Sequence, residues 1–560
     1  MAVQTGKSVD RIYFLVVCFI IALFAEGILR RWVIPGLGYG LVFIRDPILL
    51  LIYVNAVLGG FVGRNVRPMA VFIVVSAIYF AIVLIQISST ALNPLIPAFG
   101  YRTYLLYFPL PFIMHHFLNR RHFENIINIL IWCSVPIGVL TAIQYYSSPS
   151  SIWNIAPEGF GDIALIEVNR VRPYSVFTNS IAHVFFALIA LCVFMRFLFS
   201  KRSTAFPALA VPIIGLTTVA MGALSGSRTY FILAPLIIVL FMFGALSGSN
   251  VKRGANTVFI SAIVILTMFS GVFFIFPDAI ATLINRQQMA VTDEGSTLGR
   301  LTFMGTDFVK NLSIAQPFGA GAGLGTNIGS YIYAGRRTFA VTEYELTRIV
   351  LEFGPTFGLV HIILRFAFVA YLLRQAMLAA RRGELLPIAL MGVIIPLFTA
   401  GPLTTQNTLL SIGWLAAGLC LLACKPTVGI KNAPKKGRLS RKVAIEYPEL
   451  TEVEDADDLA AEAVEAELLP PPSKRGGLDA IVAAIGPTEA SAAKVRPKRK
   501  SWARSQARLK AKPKVKAKPK TRTKAKAKPK AKPASARSRA APATPPTKSR
   551  PRGGKAPKSE

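Results

Sequence analysis

The chain has 560 residues, 53% hydrophobic and 16% charged, with a formal net charge of +35. A soluble domain carries charge at roughly a quarter of its positions, so an ordinary water-soluble fold is excluded. The charge is also uneven: residues 425–560 hold 35 Lys and Arg against 13 Asp and Glu, so most of the excess belongs to the end of the chain.

A spanning helix needs about 20 mostly apolar residues. Such runs lie near 12–28, 41–59, 69–88, 103–117, 123–143, 180–199, 207–224, 229–246, 257–276, 345–373, 386–401 and 405–424. They predict an all-α polytopic membrane domain over 1–424 with about 12 transmembrane helices. Lipid-exposed backbone must satisfy its own hydrogen bonds, and the runs lack the alternation of barrel strands. The first run leads into Glu26, Arg30 and Arg31 instead of a small-residue cleavage site, which predicts an uncleaved first helix.

Charged residues inside spans are costly and mark functional candidates. Glu26 and Arg30 stand four apart and can pair on one helix face. Arg45 and Asp46 sit near one end of the second span, and Arg102 opens the fourth. These are expected as interhelical struts or interface anchors. Arg170 and Arg172 follow the fifth span, and Pro173 keeps Arg172 extended. Ser225-Gly226-Ser227-Arg228 joins the seventh and eighth spans in a link too short for a solvated loop, so Arg228 is expected at the membrane face. An arginine there can hold a phosphate with two parallel hydrogen bonds.

Residues 277–341 form a 65-residue loop carrying Arg286, Arg300, Lys310, Arg336, Arg337 and the run Pro317-Phe318-Gly319-Ala320-Gly321-Ala322-Gly323-Leu324-Gly325. A nucleotide-binding glycine motif needs a strand before it and a helix after it. These glycines are expected to let backbone amides approach a ligand or a neighbouring helix. Glu345, Arg348 and Glu352 then share one helix face at the start of the tenth span. They read either as a self-neutralising ladder or as a catalytic or substrate-orienting cluster, with Glu343 or Glu345 as a base.

The segment 425–470 is an expected acidic linker, with ten acids and no base over 446–467. Residues 471–560 are rich in Lys, Pro and Ala and cannot bury an apolar core, so a disordered tail is expected. The tail suits a solvated role or binding to anionic lipid. Apart from Trp502 it lacks the aromatic residues that stack on bases, which argues against specific nucleic-acid recognition.

Basic residues alternate sides. Lys7, Arg11, Arg64, Arg67, Arg120, Arg121, Lys201, Arg202, Lys252, Arg253, Arg374, Arg381 and Arg382 fall on one side, and only Arg30, Arg31, Arg170, Arg172 and Arg228 fall in short loops of the other. The basic side is expected in the cytoplasm with both termini, and the 65-residue loop outside. The five cysteines lie within apolar spans and the five histidines are scattered, so neither disulfide, metal site nor cofactor is expected.

Taken together, SGSR at 225–228, RPYSVFTN at 172–179, PFGAGAGLG at 317–325 and EYELTRIVLEFGPTFGLV at 343–360 resemble the O-antigen ligase and O-antigen polymerase superfamily of bacterial inner-membrane glycosyltransferases. EGILRRWVIPG and FIRDPILLLIYV look like a branch of it described as polysaccharide polymerases. The resemblance covers about residues 11–424. It implies a GT-C-like, metal-independent enzyme that transfers an oligosaccharide from undecaprenyl pyrophosphate to a glycan or lipid acceptor outside the cytoplasm. By that likeness Arg228 holds the donor pyrophosphate, Arg300 matches a second loop arginine, and Arg172 faces the same site.

The pattern also departs from the family. Thr342-Glu343 stands where ligases of the family carry a His-Asn pair, which leaves Glu343 as the candidate to activate the acceptor. The glycine that some polymerases place eleven positions after an arginine is replaced by His183 after Arg172 and by Asn311 after Arg300. Two other classes remain open at this point. A flippase or transporter for lipid-linked sugars would show internal repeats and charges through the midplane. A scaffold would depend on its tail.

Overall fold

In the computed structural model the described residues are 6–38, 40–64, 66–90, 92–157, 165–167, 170–199, 210–248, 251–294, 297–335, 342 and 344–426. Glu343, Arg336, Arg337, Lys201, Arg202, nearly all of the acidic linker and the whole basic tail lie outside them. The chain divides into units 1–437 and 438–560, and every described residue belongs to the first.

The described residues are mostly helical. In chain order the helices are α1 (Gly6–Ile28), α2 (Arg45–Leu58), α3 (Phe61–Arg64), α4 (Val66–Thr90), α5 (Leu95–Tyr101), α6 (Leu110–Phe117) and α7 (Arg120–Tyr146). A two-stranded antiparallel hairpin, β1 (Leu165–Glu167) and β2 (Arg170–Val171), pairs Leu165 with Val171 and Glu167 with Arg170. Then come α8 (Ser180–Phe199), α9 (Ala210–Ala223), α10 (Arg228–Leu246), α11 (Val251–Ile275), α12 (Pro277–Glu294), α13 (Thr297–Ile314) and α14 (Asn327–Ala334). The body closes with α15 (Glu345–Phe353), α16 (Pro355–Arg381), α17 (Leu386–Thr399) and α18 (Asn407–Ala423).

Helical structure therefore occupies each apolar run. Among the described residues seven segments are long and apolar enough to cross a membrane: Ser8–Val33, Gly40–Leu58, Arg67–Thr90, Arg120–Tyr146, Ser180–Phe199, Arg228–Leu246 and Pro355–Arg381. Helices α9, α17 and α18 are apolar but shorter. The fourth run is interrupted, passing from α5 through a π-helical turn at Arg102–Leu106 into α6.

Two expectations are corrected. The run at 345–373 is not one continuous helix. It breaks at Gly354, whose φ of +81° favours glycine, and Pro355 opens α16 at a position where its missing N–H costs nothing. The stretch 277–341 is not a plain loop either: α12, α13, α14 and a buried glycine turn are built from it.

The core centres on α8, buried over nearly its whole length, with α17 and α18 packed around it. A helix apolar on all faces must be enclosed by others. Ion pairs and caps mark the two ends of this body. At the lower end Arg120 bonds Glu124 and Glu384 (both 2.7 Å), and Arg196 reaches the same two acids at 2.7 and 3.0 Å. Lys425 donates to the Leu118 carbonyl there, and burial lowers its ammonium from the usual value. At the upper end Arg31 donates to the Ser175 carbonyl at 2.7 Å and Trp32 to Ile152 at 2.8 Å. Gln144 holds the same crossing, accepting from Ser175 N at 2.7 Å.

Candidate functional site

A polar seam is buried at the upper end. Its first part centres on Glu26, which is fully buried between Arg30 (3.0 Å) and Arg45 (2.7 Å). The i,i+4 spacing places Arg30 one turn above Glu26, whereas Arg45 arrives from the start of α2. Arg31, also buried, stacks over Trp32 and Tyr174.

The second part centres on Asp46. Arg102 bonds both of its oxygens (2.5 and 3.0 Å), and the Tyr107 hydroxyl donates to one at 3.1 Å. Arg102 also donates to Asn407 Oδ1 at 2.6 Å.

The third part is the Glu345–Arg348–Glu352 face of α15. All three are buried. Arg348 donates to Glu345 and to the hydroxyls of Thr404 and Thr405. Glu345 also accepts from Arg365 (2.9 Å), Thr404 N (3.2 Å) and Thr404 Oγ1 (2.8 Å). Glu352 accepts from Gly323 N (2.6 Å), Gly325 N (2.7 Å) and the Tyr104 hydroxyl (3.0 Å). The glycine turn is thus docked on α15. Gln86 of α4 seals the join by donating to Phe318 O and Glu352 O while accepting from Ala322 N.

One short segment connects the second and third parts. Gly401–Thr408 supplies Thr404 and Thr405 to Arg348, Asn407 to Arg102, and Thr408 to Thr178 at 2.6 Å. Among the described residues of this seam six guanidiniums (Arg30, Arg31, Arg45, Arg102, Arg348, Arg365) lie with four carboxylates (Glu26, Asp46, Glu345, Glu352). Such a surplus in a low-dielectric setting favours anions at this end.

Glu345 and Arg348 come together, and both Glu345 oxygens are engaged. Arg228 is half-buried at the first position of α10, at the upper end, after a turn in which Gly226 adopts a φ of +57°. Arg172 is half-buried on the segment that Gln144 and Arg31 hold over that end. Arg300 lies on α13, with its side chain outside the described residues. Glu343, one residue before Tyr344 and two before α15, also lies outside them. Sequence reasoning passed over Gln86, Tyr104, Arg365, Thr404, Thr405 and Asn407. A lone charge inside an apolar run (Arg365) and the polar break Thr404–Asn407 between two adjoining runs were the available signals.

Below the seam, α4, α6, α16 and α18 border a cavity of about 610 Å³ with a largely apolar lining that also includes Arg67, His115, His361, Arg365 and Thr404. Among the described residues no group of three or more His, Cys, Asp or Glu side chains is arranged to hold a metal ion. The chain matches no family model and no curated protein.

Proposed function

We propose that this chain is a bacterial inner-membrane glycosyltransferase with a GT-C-like body of twelve spans and both termini in the cytoplasm. It would polymerise or ligate undecaprenyl-pyrophosphate-linked oligosaccharide at the upper end, on the periplasmic side. The observation that carries this reading is the guanidinium-rich seam at the same end as Arg228, on the side of the body poorer in short basic loops. The resemblance of residues 11–424 to the ligase and polymerase superfamily supports it.

In this reading Arg228, with Arg300 and Arg172, grips the donor diphosphate and stabilises the charge that grows on it. An acceptor hydroxyl gives its proton to Glu343 and its oxygen attacks the anomeric carbon. The bond from that carbon to the phosphate oxygen breaks, and its electron pair leaves with the diphosphate. Glu345 and Arg348 act as positioning residues: with their polar atoms tied to Thr404, Thr405 and Arg365, they fix the helix start that follows Glu343.

The test is purified protein in proteoliposomes given lipid-linked oligosaccharide alone, with Arg228→Ala beside it. Longer glycans from the unaltered protein, reduced about 100-fold or more in the variant, are the expected result. Equal product from both proteins overturns the assignment of Arg228.

A second reading, translocation of lipid-linked sugars, draws on Arg365, a charge in the interior of α16. Movement of the lipid-linked glycan across vesicles with no new glycosidic bond would select it.

A further inference from the structure

The cavity between α4 and α16 is a groove that runs downward from the seam. Its upper end holds His361, Thr404 and Arg365. Thr404 and Arg365 already bond Glu345. Phe72, Phe108, Phe112, Phe368 and Trp414 form its walls, and it ends at Arg67, His115 and Tyr371. That is the lower end of the body: His115 meets the Leu421 carbonyl at 2.8 Å, Lys425 donates to the Leu118 carbonyl, and Arg382 donates to the Cys424 carbonyl. From His361 to Tyr371 the groove follows α16 for roughly 15 Å, half of a hydrocarbon layer about 30 Å thick. It is therefore one leaflet deep.

The lower rim is positively charged. Arg67 lies in the first turn of α4 and is exposed. Arg374, one turn beyond Tyr371 on α16, is also exposed and stands within electrostatic reach of the Tyr371 hydroxyl. Among the described residues neither arginine is ion-paired. The N-terminus of α4 adds a partial positive charge at the same rim. Val71 and Ala367, both exposed, leave the groove open along its side, and the neighbouring Val74 and Phe366 are exposed and apolar. A single acyl chain suits such a slot, and a phosphodiester suits such a rim.

We infer that this groove holds one acyl chain of an anionic glycerophospholipid from the leaflet at the lower end, with its phosphate at the Arg67–Arg374 rim. The engaged upper end has no place for a headgroup, so the polar part of the lipid sits below. A polyprenyl chain would overrun a slot one leaflet deep, and its phosphate here would lie at the opposite end of the body from Arg228. The bound acyl chain fills the space between α4 and α16, the helices that bring Gln86 and Arg365 to the seam. It acts as a lipid brace that couples the composition of that leaflet to the stability of the seam. The site is separate from glycan transfer and does not rest on it.

The experiment uses the full chain in detergent, stripped of lipid, with phosphatidylglycerol bearing brominated acyl chains as probe. Bromine quenches tryptophan fluorescence at contact, and Trp414 lines the groove. The expected result is a saturable quenching component that Trp414→Phe removes, together with a Tm that rises with phosphatidylglycerol concentration. Val71→Phe and Ala367→Phe fill the open side and should each weaken binding about tenfold or more. Arg67→Gln and Arg374→Gln should each weaken phosphatidylglycerol binding roughly fivefold and leave phosphatidylcholine unchanged. Equal quenching by brominated phosphatidylcholine, full binding in both filled variants, or tighter displacement by polyprenyl phosphate than by unlabelled phosphatidylglycerol overturns the proposal. No sugar is present, so the outcome is independent of catalysis. Binding by a protein that transfers no glycan would sink the enzymatic reading alone, and transfer without this binding would sink the brace alone.

Discussion

The Glu352 carboxylate accepts a hydrogen bond from the Gly325 amide at 2.7 Å, and its other oxygen takes the Gly323 amide at 2.6 Å. The glycine turn therefore presents its N–H groups to an acid of α15, the place a bound anion would otherwise take. Gly325 permits this approach, since a Cβ there would run into the Arg348 side chain.

Glu352→Gln keeps the shape but offers a single acceptor oxygen to two amides and Tyr104. One buried donor is then left unmet, at a cost of about 1–3 kcal/mol. The expected outcome is a lower Tm in detergent together with faster proteolysis between residues 317 and 326. An unchanged Tm and digestion pattern would show that the amides are anchored by something else.

Arg348 carries a larger share. Removing one partner of a buried, hydrogen-bonded pair costs about 3–5 kcal/mol, because the other charge stays behind. Arg348→Ala leaves Glu345 held by Arg365 and Thr404, and Glu345→Ala leaves Arg348 and Arg365 without that carboxylate, so the two losses share partners and the double variant should lose less or more than their sum. Such non-additivity is the signature of a coupled cluster. Arg348→Lys should restore little, since one ammonium cannot span Glu345, Thr404 and Thr405 as the planar fork does. Additive losses in the double-mutant cycle would contradict the cluster.

Much of this was legible in the sequence where the partners lie on one helix. The i,i+4 pair Glu26–Arg30 and the i,i+3 and i,i+4 steps from Glu345 to Arg348 to Glu352 follow from helical geometry alone. The apolar runs likewise located the helices, because period and length need no tertiary information. What escaped depends on neighbours distant in sequence. Arg45 shares Glu26 across two helices, and Thr404, Thr405 and Asn407 are ordinary polar residues until the fold sets them against Arg348 and Arg102. The break at Gly354 was hidden by the overall apolar length of the run, although Glu352 and the Gly-Pro pair beside it are signals for a chain turn.

Two glycines separate backbone strain from steric conflict. Gly335 has a φ of +65° and open space around its Cα, so Gly335→Ala pays only the left-handed penalty of about 1–2 kcal/mol. Gly319 has a φ of +77°, and a Cβ there would collide with the Glu352 carbonyl. Gly319→Ala adds that collision to the same strain and must push the glycine turn off α15. Folded yield and Tm should fall modestly for the first and severely for the second. Equal behaviour of the two variants would mean that the turn is not seated as described.

The lower end provides the control for function. Glu384 is 20% exposed at its side chain and accepts from Arg120 and Arg196. Its partial exposure discounts the pair energies toward the surface range of about 0–1 kcal/mol each, and Glu124 remains to hold both arginines. Glu384→Gln should therefore lower Tm slightly, with a difference from the unaltered protein that shrinks at high salt. If the chemistry belongs to the upper end, glycan transfer should be unchanged in this variant, and equally unchanged when residues 430–560 are removed. Loss of transfer on that truncation, with the membrane body still folded, would point to a tail-dependent scaffold; loss in Glu384→Gln alone would place the working site at the wrong end of the molecule.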